Sequence, residues 1–153
     1  MPKIDLATAP RRIGIDSYPE PFRGRCAGVE RVLLSRAAGL EAVGINLVTL
    51  APGQITAIRH WHEREDELVF VVAGTVELIS DAGAETLGPG KAAGFKAGTL
   101  DAHHFVNRGD APATLLEIGP RLPDERVHYP DDDLALVRTE GASRFYRRDG
   151  TEY

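Results

Sequence analysis

Histidine is concentrated in two short segments of this 153-residue sequence. Four of the five histidines form the pairs His60/His62 and His103/His104, and Glu67 follows the first pair by five residues. An isolated histidine is more often a hydrogen-bonded or surface residue than a ligand. Clustered imidazoles beside a carboxylate instead favour a transition-metal site, because both groups bind divalent ions readily.

The strands that carry these residues decide which side chains can converge. Residues two apart on a β-strand point to the same face, so His60 and His62 can direct two imidazoles to one point. A turn would return Glu67 on the next strand, facing the same interior. If His103 begins a further strand, His104 points to the opposite face. The predicted ligands are therefore His60, His62, Glu67 and His103.

Short apolar stretches separated by glycine and proline predict many short strands and no amphipathic helix. A tight turn is expected at 81–83. Close spacing of such strands is typical of a closed antiparallel barrel, and we expect a jelly roll. The predicted strands are Arg31–Arg36, Gly44–Leu50, Ile55–His62, Leu68–Ala73, Thr75–Ser80, Ala92–Phe95, His103–Val106 and Thr114–Ile118.

Composition narrows the classes of function. The formal net charge of −5 opposes a broad phosphate-binding surface, so nucleic acid is not an expected partner. The single cysteine, Cys26, cannot form an intrachain disulfide or a thiolate zinc site, so any metal must use nitrogen and oxygen ligands. No segment has the length of a membrane span and no leader is evident, so we expect a cytoplasmic protein without membrane contacts.

The length fits one domain, and the two ends differ in composition from the middle. Residues 1–30 and 121–153 are rich in Pro, Arg and Asp, and we assign them as arms around a barrel at 31–120. We expect the C-terminal arm to pack on the barrel or on a partner subunit.

The spacing of the histidines resembles the two motifs of the cupin superfamily. Residues 53–74 read G-x6-H-x-H-x4-E-x6-G, and residues 90–107 contain a G-x5 opening, Gly98 and then H-x3-N. The second motif departs from the family, which has proline in place of Lys96 and two residues, not four, before the histidine. His103 and His104 therefore both remain candidates for the third histidine ligand, although strand alternation and the spacing to Asn107 favour His103.

Over most of its length the chain is similar to a group of uncharacterised bacterial single-domain cupins. That resemblance implies a double-stranded β-helix, a homodimer and one divalent metal ion per subunit, for which Fe, Mn, Zn and Ni are the candidates. Three histidines and one carboxylate leave two positions open on an octahedral ion, where a small-molecule substrate can bind.

The sequence leaves the reaction open among three hypotheses. A dioxygenase-like oxidation is favoured, as in many proteins of the family. The alternatives are a metal-dependent isomerase or lyase and a small-ligand-binding cupin without turnover. Fold resemblance alone does not choose among them.

Several neighbours of the motifs are expected to lie outside the metal site. We predict that Glu63, Glu65 and Asp66 are solvated, and that Trp61 packs outside the cavity. Phe105 and Asn107 are expected on the inner wall. The remaining histidine, His128, has the ordinary interpretation of a surface or hydrogen-bonded residue, and Arg59 is left out of the site because it alternates outward.

Overall fold

A computed structural model describes residues 3–153. Almost all of its regular structure is β-strand, apart from a 3-10 turn at Arg23–Cys26 and one short helix, α1 (Leu34–Ala37). The strands are β1 (Arg11–Ile13), β2 (Glu30–Leu33), β3 (Val43–Leu50), β4 (Trp61–His62), β5 (Glu67–Ala73), β6 (Val76–Ser80), β7 (Gly83–Leu87), β8 (Ala92–Phe95), β9 (His104–Val106), β10 (Ala113–Pro120), β11 (Glu125–Tyr129), β12 (Leu134–Thr139) and β13 (Ala142–Tyr146).

Three antiparallel sheets form the molecule. The largest has the order β1-β2-β3-β10-β5-β8, the second is β13-β12-β11-β4, and the third is β7-β6-β9. Strands far apart in sequence lie side by side, as when β10 pairs with β3 along its whole length and with β5 on its other edge. The predicted all-β jelly roll is confirmed.

The six-stranded sheet buries one face and exposes the other. On β5, Val69 and Val71 are at most 1% exposed, whereas Leu68, Phe70 and Val72 are between 37% and 46% exposed. Side chains alternate along a strand, so one set packs into the core and the other faces outward. The outward set is apolar, which is unusual for a surface facing water.

Tight turns hold the strands in register. Gly74 follows β5 with φ +73°, and a Cβ there would come within 2.8 Å of the Pro112 carbonyl oxygen. Glycine is therefore required where β5 leaves the sheet beside β10. The predicted turn between β6 and β7 is also present, because Ser80 pairs with Gly83 across it.

Two predicted strands differ from the structure. The strand predicted for Arg31–Arg36 ends at Leu33, where α1 begins. The segment Ile55–His62 is not one strand, because only Ile55 and His60 bridge to the β9 segment before the chain crosses to pair with β11 as β4. Between those bridges, the Thr56 backbone N–H donates to the Phe105 carbonyl and the Thr56 hydroxyl accepts from the Phe105 N–H.

Residues 121–153 contain three strands, although no strand was predicted there and the segment was expected to be an arm. β11 pairs with β4, and β12 and β13 extend the same sheet. The buried residues Glu125, Val127 and Tyr129 alternate with more exposed ones, which is the pattern of a half-buried strand. The boundaries at 30 and 120 stay predictions. Within the described chain, no helix has the length and hydropathy of a transmembrane span.

Candidate metal centre

The four predicted ligands lie at the ends of three strands. His60 precedes β4, His62 ends it, Glu67 begins β5, and His103 immediately precedes β9. Reciprocal backbone hydrogen bonds of 3.1 and 2.8 Å join His60 and His103, which fixes the two segments against each other. Residues 43 positions apart in sequence are thereby brought side by side.

The side chains of these residues converge. One ligand atom from each of His60, His62 and Glu67 lies within 4.8 Å of the others. His103 Nε2 lies 2.9 Å from Glu67 Oε2. The His60 ring centroid is 5.0 Å from that of His62 and 5.1 Å from that of His103. The His103 imidazole therefore lies beside the group formed by His60, His62 and Glu67.

His60 is held in the state that a metal ligand requires. Its Nδ1 lies 2.7 Å from the Ile58 carbonyl oxygen, which can only accept, so Nδ1 carries the proton and the Nε2 lone pair is free. Burial, with the charge of His62 adding to it, lowers the pKa of His60 to about 3. The ring is neutral at neutral pH.

Glu67 is ionised for a different reason. Burial favours its neutral form, but the hydrogen bond with His103 and the charges of the surrounding histidines outweigh burial and lower the pKa of Glu67 to about 2. Burial also lowers the pKa of His62, while the carboxylates of Glu125 and Glu67 raise it, and the balance lies above the ordinary value. An ionised carboxylate beside imidazoles is the donor set that divalent ions prefer.

The two candidates for the third histidine ligand, His103 and His104, have different surroundings. The His103 side chain is buried and stacks on the Phe95 ring, with centroids 3.4 Å apart and planes 3° apart. His104 faces away from the cluster, with Nδ1 3.2 Å from the Ala57 carbonyl oxygen. The contact between Phe95 and His103 was not predicted, because no local sequence pattern places the end of β8 beside His103.

The acidic residues after His62 do not behave alike. Glu65 was predicted to be solvated, and this is wrong: it is 9% exposed and accepts hydrogen bonds from Leu122 N and Arg138 Nη1. Beside it, Glu125 is buried, with Oε2 3.7 Å from His62 Nδ1. The carboxylates serve as acceptors for the backbone of the neighbouring strands. Sequence reasoning missed Glu125 because no strand was assigned to it.

Two of the remaining predictions differ from the structure. Trp61 was predicted to pack outside the cavity; it stacks on His128 with centroids 4.1 Å apart, but it also lines the cavity beside His62 and His103. Asn107 does not line the metal cavity: it is fully buried, and its amide nitrogen donates to the carbonyls of Leu50 and Ala111. It therefore closes the turn between β9 and β10 instead of contacting a ligand.

Open space adjoins the cluster. A cavity of about 180 Å³ is lined by His62 and His103 together with Lys96, Thr99 and Asp101. The cavity therefore places polar and charged side chains next to the histidine cluster. A small molecule could approach a bound ion from this side, because concave polar sites of this kind are where ligands bind.

The fold and the site match known proteins. The sequence model of the cupin domain matches residues 46–119. A Silicibacter pomeroyi protein, whose crystal structure is described as that of a sugar phosphate isomerase from a cupin superfamily, is 40% identical, with a TM-score of 0.95 over 99% of this chain and 96% of that one.

Two further relatives are more distant. A candidate sugar phosphate isomerase from Acidithiobacillus ferrooxidans is 31% identical, with a TM-score of 0.73 over 78% of each chain. Protein SchB of Streptomyces halstedii is 28% identical over 124 residues, which are 80% of this chain and 87% of that protein. On the full-length similarity, the motifs and the jelly roll together, this chain belongs to the cupin superfamily.

Proposed function

We propose that this protein is a metal-dependent isomerase of small phosphorylated sugars, with one divalent ion bound by His60, His62, Glu67 and His103. The observation that carries the metal site is the convergence of the first three ligand atoms within 4.8 Å, with His103 within hydrogen-bonding distance of Glu67. The pKa directions of His60 and Glu67 support it, because both groups hold a free lone pair at neutral pH.

Isomerisation fits the groups beside the cluster. A divalent ion bound there would supply a Lewis acid for the carbonyl of an open-chain sugar. Lys96 and Asp101 line the adjoining cavity, where either side chain could move a proton on the substrate. The description of the Silicibacter pomeroyi relative as a sugar phosphate isomerase supports this substrate class.

The test combines metal analysis with an anaerobic assay. The protein is purified without chelators, its metal is measured by elemental analysis, and the metal-loaded form is incubated with aldose and ketose phosphates in D2O. We expect near-stoichiometric metal, and deuterium from solvent in the carbon-bound positions next to the carbonyl. Bound metal without isomerisation of any sugar phosphate would contradict the proposed reaction. Failure to bind Fe, Mn, Zn or Ni would contradict the site.

Oxygen-dependent oxidation is the second candidate. Three histidines and one carboxylate leave two positions on an octahedral ion, enough for a chelating substrate and dioxygen together. Oxygen uptake by the iron-loaded protein in an oxygen electrode would favour this candidate. Ligand-induced thermal stabilisation without turnover under either condition would favour a binding protein.

We further propose that the exposed face of the six-stranded sheet forms a homodimer. Leu68, Phe70 and Val72 are exposed in a row on β5, and the half-buried Leu116 and Ile118 of β10 are the cross-strand neighbours of Phe70 and Leu68. An apolar patch of this kind is typical of an interaction surface, and a second copy of the same patch is complementary to it.

Oligomeric state tests this second proposal directly. Phe70→Arg should convert a dimer to a monomer in light scattering, because it places a charge at the centre of the patch. Leu100→Arg is the matched control, since Leu100 is 68% exposed outside the sheet. A monomeric wild type at high concentration, or a Phe70→Arg variant that remains dimeric, would contradict the interface.

A further inference from the structure

A second cavity, of about 460 Å³, adjoins His62 and is strongly basic. Within residues 3–153, no Asp or Glu side chain contributes to its lining, although the whole chain carries a net charge of −5. Five arginines contribute to it, and we call this set the arginine pocket: Arg12, Arg31, Arg36, Arg121 and Arg138.

Most of this charge is not neutralised. Arg31 and Arg138 form ion pairs with Glu117 and Glu65 at 3.1 and 2.7 Å. In the described part of the chain the other three arginines, Arg12, Arg36 and Arg121, form no ion pair. Arg121 donates to the Ser35 hydroxyl, and the exposed Arg12 and Arg36 make no side-chain hydrogen bond. About three positive charges therefore remain around one cavity, where they repel one another and attract an anion.

Arg31 gives independent evidence of a built site. Arg31 is 8% exposed, its Nε donates a hydrogen bond to Glu117, and its Nη2 donates one to the Thr56 carbonyl. The third nitrogen, Nη1, is buried without an acceptor in the described structure. An unsatisfied buried donor is costly, and Arg31 is one of the residues that line the cavity.

The arginine pocket and the cavity beside the metal cluster share one lining side chain. His62 lines the pocket beside Asn46 and also lines the cavity next to His103. A group bound among the arginines would therefore lie close to His62 of the cluster.

We propose that the arginine pocket binds the phosphomonoester group of the substrate, an assignment that rests on the proposed function for the chemistry at the other end of the molecule. A phosphomonoester carries a charge of about −1.5 to −2 at pH 7, which matches the arginines left without ion pairs. Guanidinium groups bind phosphate oxygens in pairs through charge-assisted hydrogen bonds. A carboxylate presents half of that charge and fewer acceptor oxygens.

The experiment measures binding by calorimetry to metal-loaded and chelator-treated protein, with glucose 6-phosphate, glucose and inorganic phosphate as probes. The variant is Arg12→Ala/Arg36→Ala, because these two side chains make no hydrogen bond in the described structure and their loss should not affect folding. Arg108→Ala/Arg144→Ala removes the same charge at exposed sites outside the pocket. Thermal melting and elemental analysis accompany each variant.

We expect glucose 6-phosphate to bind and glucose not to bind at the same concentration. Arg12→Ala/Arg36→Ala should weaken glucose 6-phosphate and phosphate by at least about tenfold, since charge-assisted pairs are the strong hydrogen bonds. Its metal content should equal that of the wild type, and the control variant should bind as the wild type does. Chelator-treated wild type should still bind inorganic phosphate.

Other outcomes separate the two proposals. Equal affinity of Arg12→Ala/Arg36→Ala and its control would overturn the arginine pocket while leaving the metal site intact. Binding of succinate as tightly as glucose 6-phosphate, and equally weakened by the variant, would overturn the phosphate assignment in favour of carboxylates. Phosphate binding by a wild-type protein that takes up no divalent metal even on reconstitution would support the pocket and contradict the proposed function.

Discussion

His62 belongs to two clusters of side chains that could bind a metal ion. In only one of them are ligand atoms left without hydrogen-bond partners. In the first, His60 and Glu67 join His62, and in the second Glu65 and Glu125 do so. The carboxylate of Glu125 accepts from the backbone N–H groups of residues 64, 65 and 126 at 2.6 to 3.1 Å. Glu65 accepts from the Leu122 N–H and from a guanidinium nitrogen.

Residue type and proximity alone do not define a metal site. A carboxylate whose lone pairs are already used by buried N–H groups would have to give up several hydrogen bonds to bind an ion. In the first cluster, His60 uses only Nδ1, so Nε2 is free. We therefore expect the first cluster to bind metal and the second to stabilise the junction of β4 and β11.

The largest effect should follow from removing the first cluster. His60→Ala/His62→Ala should weaken metal binding by well over about 100-fold, since even the loss of outer partners of a metal ligand costs about 10 to 100-fold. Elemental analysis and a metal-ion titration measure this. The matched control is His128→Ala, whose ring stacks on Trp61 away from the cluster. Stoichiometric metal in the double variant would show that the ion is held elsewhere.

The next effect separates the adjacent histidines 103 and 104. His103→Gln should weaken metal binding by about 10-fold or more, as expected for the loss of a ligand or of its partner. His104→Gln should leave the affinity unchanged, because the His104 ring faces the Ala57 carbonyl. Titrations of both variants with the same ion give the comparison. Equal losses in the two would mean that the alternation of β9 does not select the ligand.

Local spacing predicted which of these side chains lie close together, because the pattern that it depends on is local. The H-x-H pair, Glu67 and His103 follow from strand alternation within two short motifs, and the barrel follows from regularly spaced turns. The alternation of side chains along a strand predicted the direction of His60 and His62 correctly, although Ile55–His62 is not one regular strand. His60 and His62 still converge because the bridge to His103 fixes the first of them.

Contacts between distant segments could not be predicted in this way. The arginine pocket draws Arg12 from β1, Arg31 from β2 and Arg138 from β12, and no sequence pattern places those strands together. Glu125 is an intermediate case. Its alternation with Val127 and Tyr129 was visible in the sequence, but the Pro-, Arg- and Asp-rich composition of residues 121–153 led to the assignment of an arm.

A change in the second cluster should lower the stability of the fold moderately and affect metal affinity only slightly. Glu125→Gln keeps the shape but replaces a charged acceptor of three backbone N–H groups, so we expect unfolding to be easier by about 1 to 3 kcal/mol. Urea unfolding of the metal-free protein measures this loss. Metal affinity should fall by no more than about 10-fold, the lower end of the loss expected for an outer partner, because Glu125 would act only through the orientation of His62. Complete loss of metal with unchanged stability would assign Glu125 to the metal site instead.

The smallest effect should come from a carboxylate–histidine pair that belongs to neither cluster. Glu63 Oε1 lies 2.7 Å from His128 Nε2 on the outer side of β4 and β11, and the Glu63 side chain is 42% exposed. Exposed pairs contribute about 0 to 1 kcal/mol, because water solvates both partners when they separate. Glu63→Gln should therefore change urea unfolding by less than about 1 kcal/mol and metal affinity not at all. A larger loss than that of Glu125→Gln would mean that burial and saturated lone pairs are the wrong basis for ranking the carboxylates around His62.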